Sequence, residues 1–240
     1  MVPRLYTQQP LRAGNRVQLD AEPSKHLLRV LRARPNDRVV LFNGDGLNYQ
    51  GYLETSDKRA SIYLETAKPN TAESSLTLHL IQGISRGDRM DSTIRQAVEL
   101  GVNRISAVTT HHSRARLDEK RRDNKIKHWQ GIIISACEQS GRSIIPELSV
   151  DTSLAAGVAT AHATRLILDP GAEISLDELE PCEASCTLLI GPESGFSAGE
   201  LELAGTAGFT AIQLGPRILR TETAGPAALA ILQARFGDLV

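Results

Sequence analysis

Three charged side chains in the last third of this 240-residue chain stand where apolar runs give way to loops: Glu193 after "LLIGP", and Arg220 and Glu222 within "LGPRILRTETA". A guanidinium can stabilise a developing anion, and a carboxylate can take up a proton or orient the group that does. The same carboxylates also have a structural use, because they accept backbone N–H bonds and favour a helix N-terminus. Both uses stay open for Glu193 and Glu222.

The segments that carry these residues share a pattern. "LILDPG" (166–171), "LLIGPESGFS" (188–197) and "IQLGPRILRTETA" (212–224) each place Gly or Pro directly after apolar residues. Gly lets a backbone approach a ligand closely, and Pro fixes the chain while removing a donor. The apolar runs "TRLILD", "CTLLIG" and "FTAIQLG" read as strands buried in a parallel sheet. Ligands of such sheets bind beyond the carboxyl ends of the strands. The three loops are therefore expected to line one pocket that recognises its ligand mainly through backbone groups. The chain has no G-x-x-x-x-G-K-[ST] loop, and no G-x-G-x-x-G opens a helix after a strand. That weighs against kinase, ATPase and nicotinamide-dehydrogenase chemistry.

More elements are needed to position these loops. "LTLHLIQG" and "RISAVTT" predict further strands, and "DSTIRQAVELG" predicts a helix with Ile94, Ala97 and Val98 on one face, closed by Gly101. "NKIKHWQGIIISACEQSG" predicts a longer helix with Ile126, Trp129, Ile133 and Ala136 in register, and Ser197 with Glu200 forms a Ser-x-x-Glu start signal. This alternation predicts an α/β domain over 74–240. Residues 1–70 read as a small β-rich domain: "RVVLF", the turn Asn43-Gly44-Asp45-Gly46, a strand over 49–53, and "SIYLE". Within it, "SKHLLRVLRAR" places Leu27, Val30 and Leu31 on one helical face. The polar stretch "KPNTAESS" marks the boundary.

The net charge of -1 conceals a gradient. Residues 1–70 carry eleven Lys/Arg against seven Asp/Glu, residues 86–142 twelve against seven, and residues 143–240 four against thirteen. The basic part is expected to contact a polyanion and the acidic part to do different chemistry. RNA contacts are assigned to Arg4, Arg12, Lys25, Arg29, Arg32 and Arg34, with Arg86, Arg89, Arg114 and Arg116. At 4% aromatic content an extended base-stacking platform is not expected. Cys137, Cys182 and Cys186 are odd in number and lack zinc spacing; with no apolar run of membrane-spanning length and no leader-like start, a reduced, cytoplasmic protein without metal is expected.

The pair "IGPESGFSAGE" and "LGPRILRTETA" resembles the signature of the SPOUT class of S-adenosyl-L-methionine-dependent RNA methyltransferases. With "HLLRVLRAR", "DSTIRQAVELGV" and "SACEQSGRSIIPEL" in the same order, the chain is similar along nearly its whole length to the ribosomal RNA small subunit methyltransferase E family. The resemblance implies a PUA-like β-barrel over 1–70, a methyltransferase domain tied in a C-terminal trefoil knot, and a homodimer. It also implies methylation of N3 of a uridine in 16S rRNA of the small ribosomal subunit. Carried onto this sequence, the cofactor-binding residues are Leu168, Gly191, Pro192, Gly195, Leu214, Gly215, Ile218, Leu219, Thr221, Thr223 and Ala224. The catalytic candidates are Arg220, Glu222 and Glu193, while Glu138, Gln139 and Arg142 of "EQSGR" are placed near the RNA. Two departures stand out. Ser194 replaces the first glycine of the family's more usual "GPEGGFS", and Pro226 is expected in the first turn of the last helix. The alternatives are another SPOUT enzyme with a different target nucleotide and a non-catalytic RNA-binding assembly factor.

Overall fold

The computed structural model describes residues 2–55, 59–112, 119–151, 153–161, 164–179 and 184–239. Its contacts divide the chain into two units, Met1–Glu73 with Cys137–Ile145, and Ser74–Ala136 with Pro146–Val240. The segment 137–145 thus goes with the first unit, whereas the sequence reading had assigned it to the second.

The first unit is built on a five-stranded sheet in the order β1-β3-β4-β5-β2, from β1 (Arg4–Tyr6), β2 (Arg16–Gln18), β3 (Arg38–Phe42), β4 (Leu47–Thr55) and β5 (Ser61–Pro69). Alternate residues of these strands, among them Leu5, Val17, Val39, Leu41, Leu53, Ile62 and Leu64, form one apolar cluster, as a sheet with one buried face requires. The β4–β5 register shifts at Gln50/Gly51. A Cβ on Gly51 would lie 1.9 Å from the Tyr63 carbonyl oxygen, so only glycine fits that crossing.

Helix α1 (Ala21–Lys25) continues into a π-turn over His26–Val30, marked by the Leu31 N–H donating to the His26 carbonyl at 3.0 Å. The wider turn breaks the predicted face. Leu27 is fully buried, but Val30 is 63% exposed and Leu31 44% exposed.

Glu73 and the segment 137–145 close the first unit. Arg142, predicted near RNA, is instead 2% exposed and donates through Nε and Nη2 to Glu73 at 3.0 and 2.8 Å. The backbone N–H groups of Ser143 and Ile144 donate to the other Glu73 oxygen. A buried guanidinium needs such a partner, which removes Arg142 from the RNA-facing set. Burial is also the largest influence on Cys137, whose thiol is pushed up to about 12.

The second unit holds a six-stranded, wholly parallel sheet in the order β11-β9-β10-β6-β7-β8. Its strands are β6 (Thr77–Gly83), β7 (Arg104–Val108), β8 (Glu147–Asp151), β9 (Thr164–Leu168), β10 (Ser185–Ile190) and β11 (Thr210–Ile212). Alternation along the strands gives the sheet two apolar faces. Ile81, Ile167 and Leu189 pack with Phe209 and with α4 (Leu154–Val158) and α5 (Ala198–Thr206). On the other side α6 (Thr221–Phe236) rests on β6 and β10 and against α2 (Arg89–Glu99).

The predicted face of α2 is buried, and Gly101 closes the helix at φ +81°. In α3 (Glu119–Ser140), Trp129, Ile133 and Ala136 are buried and Ile126 is partly buried. The Trp129 indole N–H donates to Asp91 at 3.0 Å. Pro226 lies inside α6, beyond the first turn where the sequence placed it. It removes the N–H that would otherwise reach the Glu222 carbonyl.

Replacing Glu73 with Ala removes the carboxylate that faces a buried guanidinium and accepts two backbone N–H groups, and the expected loss is about 3 kcal/mol of stability. Denaturant unfolding checks this, and an unchanged midpoint would show that the Glu73 contacts are dispensable.

Candidate active site

The parallel register of β9, β10 and β11 brings three loops to one edge of the sheet. Leu168 pairs with Ile212, and Ile167 with Leu189, so the strands finish almost level. The chain that leaves each strand borders a cavity of about 710 Å³, a size that suits a small-molecule ligand. Leu168, Asp169 and Pro170 come from the first loop, Gly191 to Phe196 from the second, and Gln213 to Arg220 from the third, apart from Pro216.

Local backbone chemistry shapes these loops. The Gly195 N–H bonds the Pro192 carbonyl at 2.9 Å in a tight turn, with Gly195 at φ +68°. Gly215 has φ +66°, a region costly for residues with a side chain. A Cβ on Gly83 at the end of β6 would meet Pro192 Cδ at 2.5 Å, so the second loop lies directly against that strand end. Ser194 has no positive φ, and the position therefore does not require a glycine.

A buried amide fixes the loops to the last helix. Gln82 is fully buried; its Nε2 donates to Thr221 Oγ1 at 3.0 Å, to the Gly83 carbonyl at 3.1 Å and to the Gly191 carbonyl at 3.3 Å. The Thr221 hydroxyl donates in turn to Gly191 at 2.7 Å. Sequence reading missed Gln82, because one polar residue at the end of an apolar strand gives no signal of its own.

The charged residues gather on the wall beside α6. Glu193 accepts the Arg86 backbone N–H at 3.0 Å and the Arg89 guanidinium at 2.6 Å, and Arg89 Nε lies 3.6 Å from Glu222 Oε1. Burial pushes the Glu193 carboxyl up, but the Arg86 N–H, its own N–H and Arg89 outweigh this and hold it below the usual carboxylate range. Glu222 Oε2 is buried and has no hydrogen-bond partner among the described residues.

The structure thus brings Glu193, Arg220 and Glu222 to one cavity together with Leu168, Gly191, Pro192, Gly195, Leu214, Gly215, Ile218, Leu219, Thr221 and Ala224. Thr223 is exposed and does not line it. Arg89, which the sequence assigned to RNA, does line it. In the first unit Arg12, Lys25, Arg29, Arg32 and Arg34 are exposed. Arg4 donates to Asn48 and to the Arg142 carbonyl, and Glu138 accepts the Tyr6 N–H, so both tie that unit together. Gln139 and Arg86 are exposed; Arg114, Arg116 and Cys182 lie outside the described residues. Among the described residues no cluster of His, Cys, Asp or Glu could hold a metal, and no helix is long and apolar enough to cross a membrane.

Comparison with known proteins places this architecture. The model of an RNA methyltransferase domain matches residues 72–233, and that of an RNA methyltransferase PUA domain matches residues 19–62. The ribosomal RNA small subunit methyltransferase E of Buchnera aphidicola from Schizaphis graminum is 34% identical over 242 residues, covering 99% of this chain and 98% of its own length. The chain belongs to the ribosomal RNA small subunit methyltransferase E family. A Neisseria gonorrhoeae member of that family, solved bound to S-adenosyl methionine, superposes with a TM-score of 0.93 at 36% identity over the full length of both chains. A Legionella pneumophila methyltransferase, solved with the same cofactor, gives 0.95 at 36% identity, again over the whole of both chains. The family's mixed architecture, a parallel α/β sheet with a PUA-like unit, is the one found in this chain.

Replacing Thr221 with Val keeps the shape and removes the hydroxyl that links Gln82 to Gly191. The expected cost is about 1–2 kcal/mol of stability, read by denaturant unfolding; no loss would mean that the tie is dispensable.

Proposed function

We propose that this protein uses S-adenosyl-L-methionine to methylate N3 of one uridine in 16S rRNA of the small ribosomal subunit. On this reading it works as a cytoplasmic homodimer whose C-terminal segment is threaded as a trefoil knot. The observation that carries the proposal is the cavity beyond β9, β10 and β11, walled by glycine-bearing loops.

The residues present fit that cofactor. Leu168, Ile190, Ile212, Leu214 and Leu219 offer aliphatic surface for a flat purine, and the adjoining loops offer backbone groups for its polar edge. The unpartnered Glu222 Oε2 is an acceptor for a cationic or N–H group. When bound, the cofactor supplies a methyl group activated on a sulfonium.

The chain's own residues have two further tasks. Uracil N3 carries a proton and is only weakly acidic, so the proton must leave before or as the nitrogen attacks. Glu222 or Glu193 accepts it, and Arg220, at the start of α6, stabilises the negative charge left on the ring. The exposed Lys25, Arg29, Arg32 and Arg34 supply phosphate contacts, which position RNA without reading its bases.

Methyl transfer to small subunits, followed by mass spectrometric mapping of the product, tests the reading. Arg220→Ala should lower turnover at least about a hundredfold while leaving cofactor affinity nearly unchanged. A different modified base would favour another RNA target. RNA binding with no cofactor affinity would make the protein a non-catalytic assembly factor.

A further inference from the structure

Arg89 is the first residue of α2, in the segment that leaves β6, the sheet neighbour of β10. Its guanidinium reaches two carboxylates from different loops: Nη1 is 2.6 Å from Glu193 Oε1, and Nε is 3.6 Å from Glu222 Oε1. Glu193 Oε1 also accepts the Arg86 N–H, so that oxygen is committed to two donors. Glu222 differs, because Oε1 faces Arg89 while Oε2 has no partner among the described residues.

We propose that Arg89 is a positioning residue for methyl transfer, holding Glu193 in place and orienting Glu222, the two carboxylates assigned above to take up the substrate proton. The inference rests on the functional reading above and adds a role to a residue whose sequence context suggested an RNA phosphate contact. A guanidinium already shared by two carboxylates is poorly placed to neutralise phosphate.

Electrostatics agrees with the geometry. Two carboxylates on one wall repel each other. Arg89 offsets that repulsion. The other charged side chains on the cavity are Arg217 and Arg220 before α6 and Asp169 after β9, and Arg86 presents its backbone N–H.

Arg89→Gln and Arg89→Lys test the proposal in the full-length protein, with turnover, cofactor binding by calorimetry, RNA KM and the pH profile as readouts. In Arg89→Gln, kcat should fall at least about tenfold, with cofactor Kd and RNA KM within about threefold of the wild type. Arg89 helps hold the Glu193 carboxyl below the usual carboxylate range, so its loss lets Glu193 be protonated sooner as pH falls, and the acidic limb of the profile should move to higher pH. Arg89→Lys should recover part of both effects. A raised RNA KM with unchanged kcat would overturn the proposal in favour of a phosphate contact. A cofactor Kd that rises in step with the loss of kcat would overturn it in favour of a cofactor contact. The variants are compared with active wild type, so a wild-type protein that transfers no methyl group counts against the functional reading itself and takes this role with it.

Discussion

The hydroxyl of Thr221 sits between the Gln82 amide and the Gly191 carbonyl, and the rest of the site depends on that placement. The three residues come from the end of β6, the loop after β10 and the first turn of α6. Gln82 is fully buried, and its amide is shared among Thr221 and the Gly83 and Gly191 carbonyls, so each bond lost there weakens a junction made without exposed groups. The network therefore sets where α6 begins relative to the sheet. Arg220 and Glu222 flank Thr221, so the same contact decides where their side chains enter the cavity. Gly83, which has no room for a Cβ against Pro192, fixes the other side of the same junction.

Charge acts on top of this frame. The wall near α6 holds Glu193 and Glu222 around one guanidinium, and backbone N–H groups add to its effect on Glu193. On the proposed reading, the carboxylates would take up the proton of a weakly acidic nitrogen, and Arg220 would stabilise what remains after it leaves. In the first unit the exposed basic residues of α1 and the turn after it carry the opposite charge, suited to a phosphate backbone.

The parts of the fold that rest on composition were legible in the sequence. Strands β6, β9 and β10 each centre on a short apolar stretch that is buried, and the glycine and proline residues that follow β9 and β10 announced the loops. The buried face of α2 followed from its period. What failed to show depended on partners distant in sequence. Arg89 and Arg142 look like any other surface arginines until Glu193, Glu222 and Glu73 arrive beside them. Gln82 is one polar residue in a strand. The spacing of Leu27, Val30 and Leu31 suggested a regular helix, but the π-turn changes the period and turns the last two outward. β8 was missed because "ELSVD" has too few apolar residues to stand out.

The account's central claim is that the turns beyond β9, β10 and β11 form the binding site for the methyl donor. A crystal structure of this protein grown with S-adenosyl-L-methionine tests it most directly. The account predicts the purine among Leu168, Leu214 and Leu219, with the sulfonium toward the wall of Glu193 and Glu222. Electron density for the donor elsewhere, with these turns empty, would contradict it.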